Sequence, residues 1–142
     1  MRTAVDILRV KGDEVWSISS DHTILEAIQL MADKEVGALL VIDNDKLTGI
    51  VTERDYARKV ALEGRSSKDS RVADIMSHKV LCARPEQTVE ECMALMSDKR
   101  ARHLPIVDHK KVIGVVSIGD LVKSIITEQQ FEIDQLQYYI TH

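Results

Sequence analysis

The sequence has few aromatic residues, only two cysteines and two prolines, and no long hydrophobic run. Five of the 142 residues are Phe, Tyr or Trp, so the core must be built mainly from Val, Ile, Leu, Met and Ala. The cysteines lack CxxC spacing, which gives no sign of a zinc ribbon or a disulfide framework. With 44% hydrophobic and 30% charged residues, the composition is typical of a soluble globular domain.

Further absences argue against two classes of partner. No uninterrupted apolar run approaches the ~20 residues of a membrane span, and the charged first eleven residues do not resemble a signal peptide. We therefore expect a cytoplasmic protein with no membrane partner. The net charge of −4 lacks the cationic excess of a general nucleic-acid binder. A basic patch at Lys99–His103 keeps RNA binding only as an alternative, which salt-dependent retention on RNA would reveal.

The chain contains an internal repeat. Shifting the sequence by 65 residues pairs residues 21–60 with 86–125 without a gap, and twelve of the forty positions are identical, where chance predicts about three. Upstream, AVDIL and VADIM match at an offset of 68. We predict a first copy at residues 1–64, a linker at 65–71, a second copy at 72–127 and a C-terminal helical extension at 128–142.

Each copy predicts the same elements in the same order. Both contain a Thr-x-x-Glu capping box, at Thr23 and Thr88, followed by apolar residues at helical spacing. Two short β-branched runs around a polar turn then predict a hairpin, and another helix follows directly. The expected fold class is α+β (α/β-type), with two β-α-β-β-α units that pack around a pseudo-twofold axis and leave two related clefts.

Both hairpins end in Thr/Ser-x-x-Asp, at Thr52 to Asp55 and Ser117 to Asp120. One interpretation is a second pair of capping boxes. The other is a ligand site, because a helix that follows a strand presents free amides and a carboxylate there accepts hydrogen bonds from a ribose diol. The shorter Asp, where the two other boxes have Glu, favours the ligand interpretation.

The two junctions differ in charge. Arg100, Arg102 and His103 stand at the start of a strand beside the second junction, as phosphate ligands or as a solvated cluster. The first copy has Glu35, Gly37 and Ala38 at those positions. Arg54 could add a cation to the first site or reach across the pseudo-twofold axis to the second. Because Gly37 and Ala38 supply no cation, we expect a charged nucleotide to prefer the second junction.

The motifs GIVTERD and GVVSIGD, with RHLPIVD and GALLVID, resemble the cystathionine-β-synthase (CBS) domain in its tandem form, the Bateman module. The resemblance covers residues 1–127 and is to stand-alone bacterial-type proteins of this family. It implies Asp55 and Asp120 on ribose hydroxyls, Thr52 and Ser117 nearby, and Arg102 and His103 on phosphate. It also implies adenine contacts near the following residues: Val80, Ala101 and Ile118.

The function expected from this resemblance is regulatory and not enzymatic. The module would bind AMP, or else ATP, ADP or NAD(H), and signal to an unidentified regulated protein. Alternatives are an S-adenosylmethionine sensor and a nucleic-acid-binding or stress-response interaction protein. No required cofactor and no metal site is expected, because the five histidines are scattered.

The C-terminal extension carries an apolar seam with heptad spacing. The alternatives are a helix that folds back on its own core and a homodimer contact, and we expect the homodimer. The seam positions are Val122, Ile126, Gln129, Ile133, Leu136 and Ile140.

Overall fold

The computed structural model describes residues 2–141, except for the side chains of Ile140 and Thr141. Six α-helices and five strands form within these residues, which confirms a mixed α and β fold. The helices are α1 Ala4–Lys11, α2 Ile24–Lys34, α3 Glu53–Tyr56, α4 Val72–Ile75, α5 Val89–Lys99 and α6 Ile118–Thr141. The strands are β1 Ser17–Ile18, β2 Ala38–Asp43, β3 Lys46–Thr52, β4 His103–Asp108 and β5 Lys111–Ser117.

The predicted hairpins are confirmed. Strand β2 pairs antiparallel with β3, and β4 pairs antiparallel with β5 in the equivalent register. The turn residues Asn44 and Asp45 both have positive φ, as do His109 and Lys110. Two successive left-handed residues match the twist of the flanking strands. Both predicted Thr-x-x-Glu boxes are also closed, at the starts of α2 and α5.

The copies differ in their first strand. In the first copy β1 pairs parallel with β2, and the Leu40 amide donates to the Trp16 carbonyl at 3.1 Å. In the second copy Pro105 stands where the first has Leu40, and a proline has no N–H to donate. The predicted strand is there reduced to a single parallel bridge between Ala83 and Ile106.

The chain divides into two compact units, and neither coincides with one sequence copy. The first unit is Val15–Val80; the second comprises the chain up to Glu14 and from Leu81 onward. Helix α1 thus packs in the unit that holds the second hairpin, and α4 in the unit that holds the first. The boundaries predicted from the sequence describe where each copy begins and ends, not how the chain packs, and they stay a prediction.

Each copy thus packs its N-terminal helix against the hairpin of the other copy, and the glycine shared by both motifs makes room for this exchange of N-terminal segments. A Cβ on Gly114 would lie 2.6 Å from Leu8 Cδ2, and a Cβ on Gly49 would lie 2.7 Å from the Ser77 carbonyl oxygen and 3.0 Å from Met76 Sδ. Leu8 and Met76 are equivalent, since 8 + 68 = 76. Each glycine therefore leaves room for the N-terminal segment of the other copy.

Each unit has its own apolar core. In the second unit α1 contributes Ala4, Ile7 and Leu8 to the core formed by α5, β4, β5 and the start of α6. Helix α6 extends well beyond this core, and its side chains from Gln129 to Tyr139 are exposed. The interpretation in which the tail folds back on its own core is therefore wrong for these residues.

Candidate functional site

The second strand-to-helix junction is held by reciprocal hydrogen bonds. The Ser117 amide donates to Asp120 Oδ2 at 2.8 Å, and the Asp120 amide donates to Ser117 Oγ at 3.1 Å. These bonds satisfy amides that the first turn of α6 would otherwise leave unpaired. Among the described residues, Asp120 Oδ1 accepts no hydrogen bond, so half of the carboxylate keeps its acceptor capacity.

Lys11 completes this junction from α1. Its ammonium donates to Asp120 Oδ2 at 2.6 Å and to the Val115 carbonyl at 2.8 Å. Partial burial alone would raise the pKa of Asp120, but hydrogen bonds from Lys11 and Ser117 outweigh it and lower that pKa. Asp120 is therefore ionised at neutral pH, in the form that accepts hydrogen bonds from a diol.

The first junction has the same backbone and a different cation. Asp55 Oδ2 accepts hydrogen bonds from the Thr52 amide at 3.0 Å and the Thr52 hydroxyl at 3.1 Å. Its Oδ1 lies 3.5 Å from the Lys59 ammonium, in the π-helical turn Ala57–Ala61 that continues α3. Lys59 also donates to the Ile75 carbonyl of α4 at 3.0 Å. The cation beside Asp55 thus comes from the helical segment that Asp55 caps, and it also contacts the N-terminal segment of the other copy.

Both junctions are thus capping boxes, and aspartate closes them as well as glutamate does. The same Asp geometry occurs at Thr3 and Asp6, where no ligand is predicted. The shorter side chain alone is therefore no evidence for a ligand, and ligand binding at Asp55 and Asp120 stays a prediction. Capping and ligand binding are compatible at Asp120, because the cap occupies only one carboxylate oxygen.

Two of the predicted phosphate ligands lie beside the second junction. His103 is the antiparallel register partner of Ser117, and the Ile118 amide donates to the Arg102 carbonyl at 3.1 Å. Partial desolvation, with the positive charges of Lys11 and Arg102, lowers the pKa of His103, while Asp120 opposes the shift. His103 is therefore mainly neutral at pH 7, and a phosphate beside it would favour its protonation.

The first junction has no cation at these positions. The register partner of Thr52 is Ala38, and the Glu53 amide donates to the Gly37 carbonyl at 3.0 Å. Position 53 is itself acidic, and a Cβ on Gly37 would lie 3.3 Å from Glu53 Oε1. A phosphate here would meet two carboxylates within one helical turn.

The remaining predicted residues are divided between the units. Arg54 is exposed and forms no ion pair within the described part of the chain. Val80 ends the first unit, whereas Ala101 and Ile118 belong to the second. Ile118 is 36% exposed at the first position of α6.

Sequence reasoning missed Lys11 and the cavity that it borders. This cavity of about 280 Å³ in the second unit is lined by Arg2 and by side chains from α1 and α6, including those of Lys11 and Asp120. The only available signal was the match of AVDIL to VADIM, which shows that the segment repeats but not where it packs.

Within residues 2–141, no group of three or more His, Cys, Asp or Glu side chains is arranged to hold a metal ion. In the same range, no helix combines the length and apolarity needed to cross a bilayer.

Comparison with known proteins agrees with the repeated sequence and with the fold. The CBS domain family model matches residues 5–62 and again residues 72–127. The chain belongs to the CBS domain family. It carries a pair of CBS domains, a class of regulatory ligand-binding module.

A CBS domain-containing protein of Arabidopsis thaliana, the mitochondrial CBSX3, is 41% identical over 97% of this chain and 71% of its own length. A solved structure from Burkholderia ambifaria, described as a putative signal-transduction protein with CBS domains, is 52% identical. It covers 89% of this chain and 96% of that one, with a TM-score of 0.83.

A second solved structure is a CBS domain pair in complex with 5′-methylthioadenosine and S-adenosyl-L-methionine. It is 24% identical with a TM-score of 0.78, over 90% of this chain and 98% of that chain. At this identity the likeness extends to the fold alone.

Proposed function

We propose that this CBS domain pair is a non-catalytic sensor of adenine nucleotides and that the second junction is its principal binding site. AMP is the favoured ligand, with ATP, ADP and NAD(H) as the other members of the class. The ribose diol would donate to Asp120, with Ser117 adjacent, and Arg102 and His103 would face the phosphate. Occupancy would stabilise one packing of the module and so be read by a partner protein.

The open oxygen of Asp120 carries this proposal. The carboxylate is only 24% exposed and is ionised, yet the cap and Lys11 use only Oδ2. A partly desolvated carboxylate with one free oxygen is well suited to accept hydrogen bonds from both hydroxyl groups of a ribose, since charged acceptors form the stronger hydrogen bonds.

Charge supports the choice of junction. Lys11, Arg102 and Asp120 all lie close enough to His103 to shift its pKa, and Lys11 also acts on Asp120. The first junction has Asp55 and Glu53, with Gly37 and Ala38 where the second has its cations. We therefore propose that Thr52, Arg54 and Asp55 form a weaker or nucleoside-selective site. The adenine contacts that the family resemblance implies stay a prediction: Val80, Ala101 and Ile118.

The test begins with the ligand that copurifies. Mass spectrometry of the small molecules released by denaturation should detect an adenine nucleotide, and S-adenosylmethionine in its place would favour that alternative. Isothermal titration of the ligand-free protein with AMP should then give saturable binding. Asp120→Ala should weaken it about ten- to a hundredfold, because a charged hydrogen bond contributes roughly 1.5–3 kcal/mol.

Glu91→Ala is the matched control for the loss of a cap. Glu91 closes the box of α5 in the same unit, and its removal should cost about 1 kcal/mol of stability without changing AMP affinity. If Asp120→Ala binds AMP as tightly as the wild type, or if both variants lose affinity equally, Asp120 is only a helix cap.

We further propose that the sensor is a homodimer joined along α6. The heptad positions Val122, Ile126, Ile133 and Leu136 are 40–64% exposed, although side chains at such positions are normally buried against a second helix. Gln129 interrupts the seam, and a single polar seam residue commonly fixes register and partner number. A second copy presents the same stripe, so the contact is self-complementary. The side chain of Ile140 lies outside the described residues.

Sedimentation velocity tests this assembly. Wild type should sediment as a dimer, and Leu136→Asp should shift it to the monomer by placing a charge in an apolar seam. Gln135→Asp adds the same charge beside the seam and should leave the dimer intact. A wild type that is monomeric at all concentrations, or a dimer that tolerates Leu136→Asp, would refute the assignment of this face.

A further inference from the structure

One charged side chain of the second junction lies outside every motif. Lys11, the last residue of α1, has its ammonium between the Val115 carbonyl oxygen and Asp120 Oδ2, at 2.8 and 2.6 Å. These two bonds fix the position of a side chain that is 36% exposed. A lysine ordered in this way offers a defined positive charge at the site.

The cavity beside this lysine has more cationic than acidic side chains in its lining. Its lining includes Arg2, Lys11 and Lys123 but only one acidic group, Asp120. Arg2 donates to the hydroxyl of Ser124 at 3.3 Å, and Ser124 is only 6% exposed. The guanidinium is therefore anchored toward the cavity, and the lining has an excess of two positive charges.

We propose that Lys11 is a specificity-determining residue, which makes the second junction prefer phosphorylated nucleosides to neutral ones by directing an anionic group into this cavity. The inference rests on the proposed function, because it assumes that Asp120 binds a ribose. It extends that function by naming a residue from the first copy that selects the ligand of the second.

The hydrogen bonds explain why charge selectivity would follow. Lys11 uses Asp120 Oδ2 and leaves Oδ1 open, so a neutral ribose can bind without displacing the lysine. A neutral ligand would leave the cavity's excess charge uncompensated. A phosphate or diphosphate would compensate it through charge-assisted hydrogen bonds, which are the stronger kind.

The first junction provides an internal contrast. The equivalent of Lys11 is Lys79, since 11 + 68 = 79, and it is exposed without an ion pair among the described residues. The cation beside Asp55 is instead Lys59 from the same helical segment. Lys79→Met is therefore a matched control, with the same loss of charge at the equivalent position.

The experiment compares AMP with adenosine by isothermal titration of the full chain. Lys11→Met should weaken AMP about tenfold, the loss of one charged hydrogen bond, and change adenosine by less than about twofold. Lys79→Met should alter neither affinity. Lys11→Arg keeps the charge and should restore most of the AMP affinity, and thermal unfolding checks that each variant is folded.

Four outcomes would overturn the inference. Equal weakening of AMP and adenosine by Lys11→Met would assign Lys11 a structural role, and no change in either would remove it from the site. A wild type that binds adenosine as tightly as AMP would deny charge selectivity while leaving the proposed function standing. A wild type that binds neither would refute the proposed function and this inference together.

Discussion

The two strand-to-helix junctions share a backbone and differ in the side chains around it. Each has a glycine that leaves room for the N-terminal segment of the other copy. Each also has a hydroxyl and an aspartate that cap a helix, and a lysine near the aspartate. At the second junction the lysine comes from a distant segment, and Arg102 and His103 flank it. At the first the lysine is local, and Glu53 adds a negative charge. A duplicated scaffold thus acquires two different electrostatic environments through a few substitutions.

The largest expected effect concerns the two glycines. Gly49→Ala should destabilise the protein by about 2–3 kcal/mol, because its Cβ would meet a backbone carbonyl that cannot turn away. Gly114→Ala should cost about 1–2 kcal/mol, since it meets the end of the Leu8 side chain. Chemical unfolding measures both. In a Leu8→Ala background the Gly114→Ala cost should shrink, and an unchanged cost would mean that the two residues do not compete for space.

A smaller effect is expected from equalising the charges at the junctions. The double variant Arg102→Ala/His103→Ala gives the second copy the uncharged character of Gly37 and Ala38. AMP affinity should fall about tenfold or more, roughly 1.4 kcal/mol, while adenosine affinity should hold. Isothermal titration with both ligands provides the readout. Equal losses for the two ligands would show that the strand start shapes the site without contacting phosphate.

The smallest effect is a pH dependence of stability specific to the second junction. The folded protein lowers the pKa of Asp120 below the ordinary value of 3.8. The resulting stabilisation is complete above pH 3.8 and is lost as the pH falls through the folded pKa. Lys11→Met should therefore reduce the free energy of unfolding by about 0.5 kcal/mol at pH 7.

Urea titrations of wild type and Lys11→Met between pH 2.5 and 7 would measure this contribution. The difference between the two proteins should shrink toward the acid end, as Asp120 becomes protonated. A difference independent of pH would assign the effect of Lys11 to packing of its aliphatic stem.

Local patterns made much of this fold predictable. The caps at Thr23 and Thr88 and the two hairpins depend on neighbours in sequence, and all of them are observed. The sequence also contains the reason why the second copy lacks its first strand, because Pro105 cannot donate the backbone hydrogen bond that Leu40 donates in the first copy. It could be recognised only once the parallel partner of that strand was known.

The charge at the candidate site was harder to predict. Lys11 and Asp120 are 109 positions apart, and nothing in the local sequence of either indicates that they meet. The role of Gly114 was likewise hidden, since a motif shows that a side chain is absent but not what occupies its space. Periodicity reports local structure, whereas the exchange of N-terminal segments is a long-range packing event.

This exchange also affects the order in which the protein can fold during its synthesis. The first unit is one continuous stretch, Val15–Val80, and we expect it to fold as soon as that stretch has left the ribosome. Helix α1 emerges earlier but must wait until Leu81 and the residues beyond it have been translated. Helix α1 would therefore be among the last elements to pack, and a premature stop codon after the first unit would leave it without a packing partner.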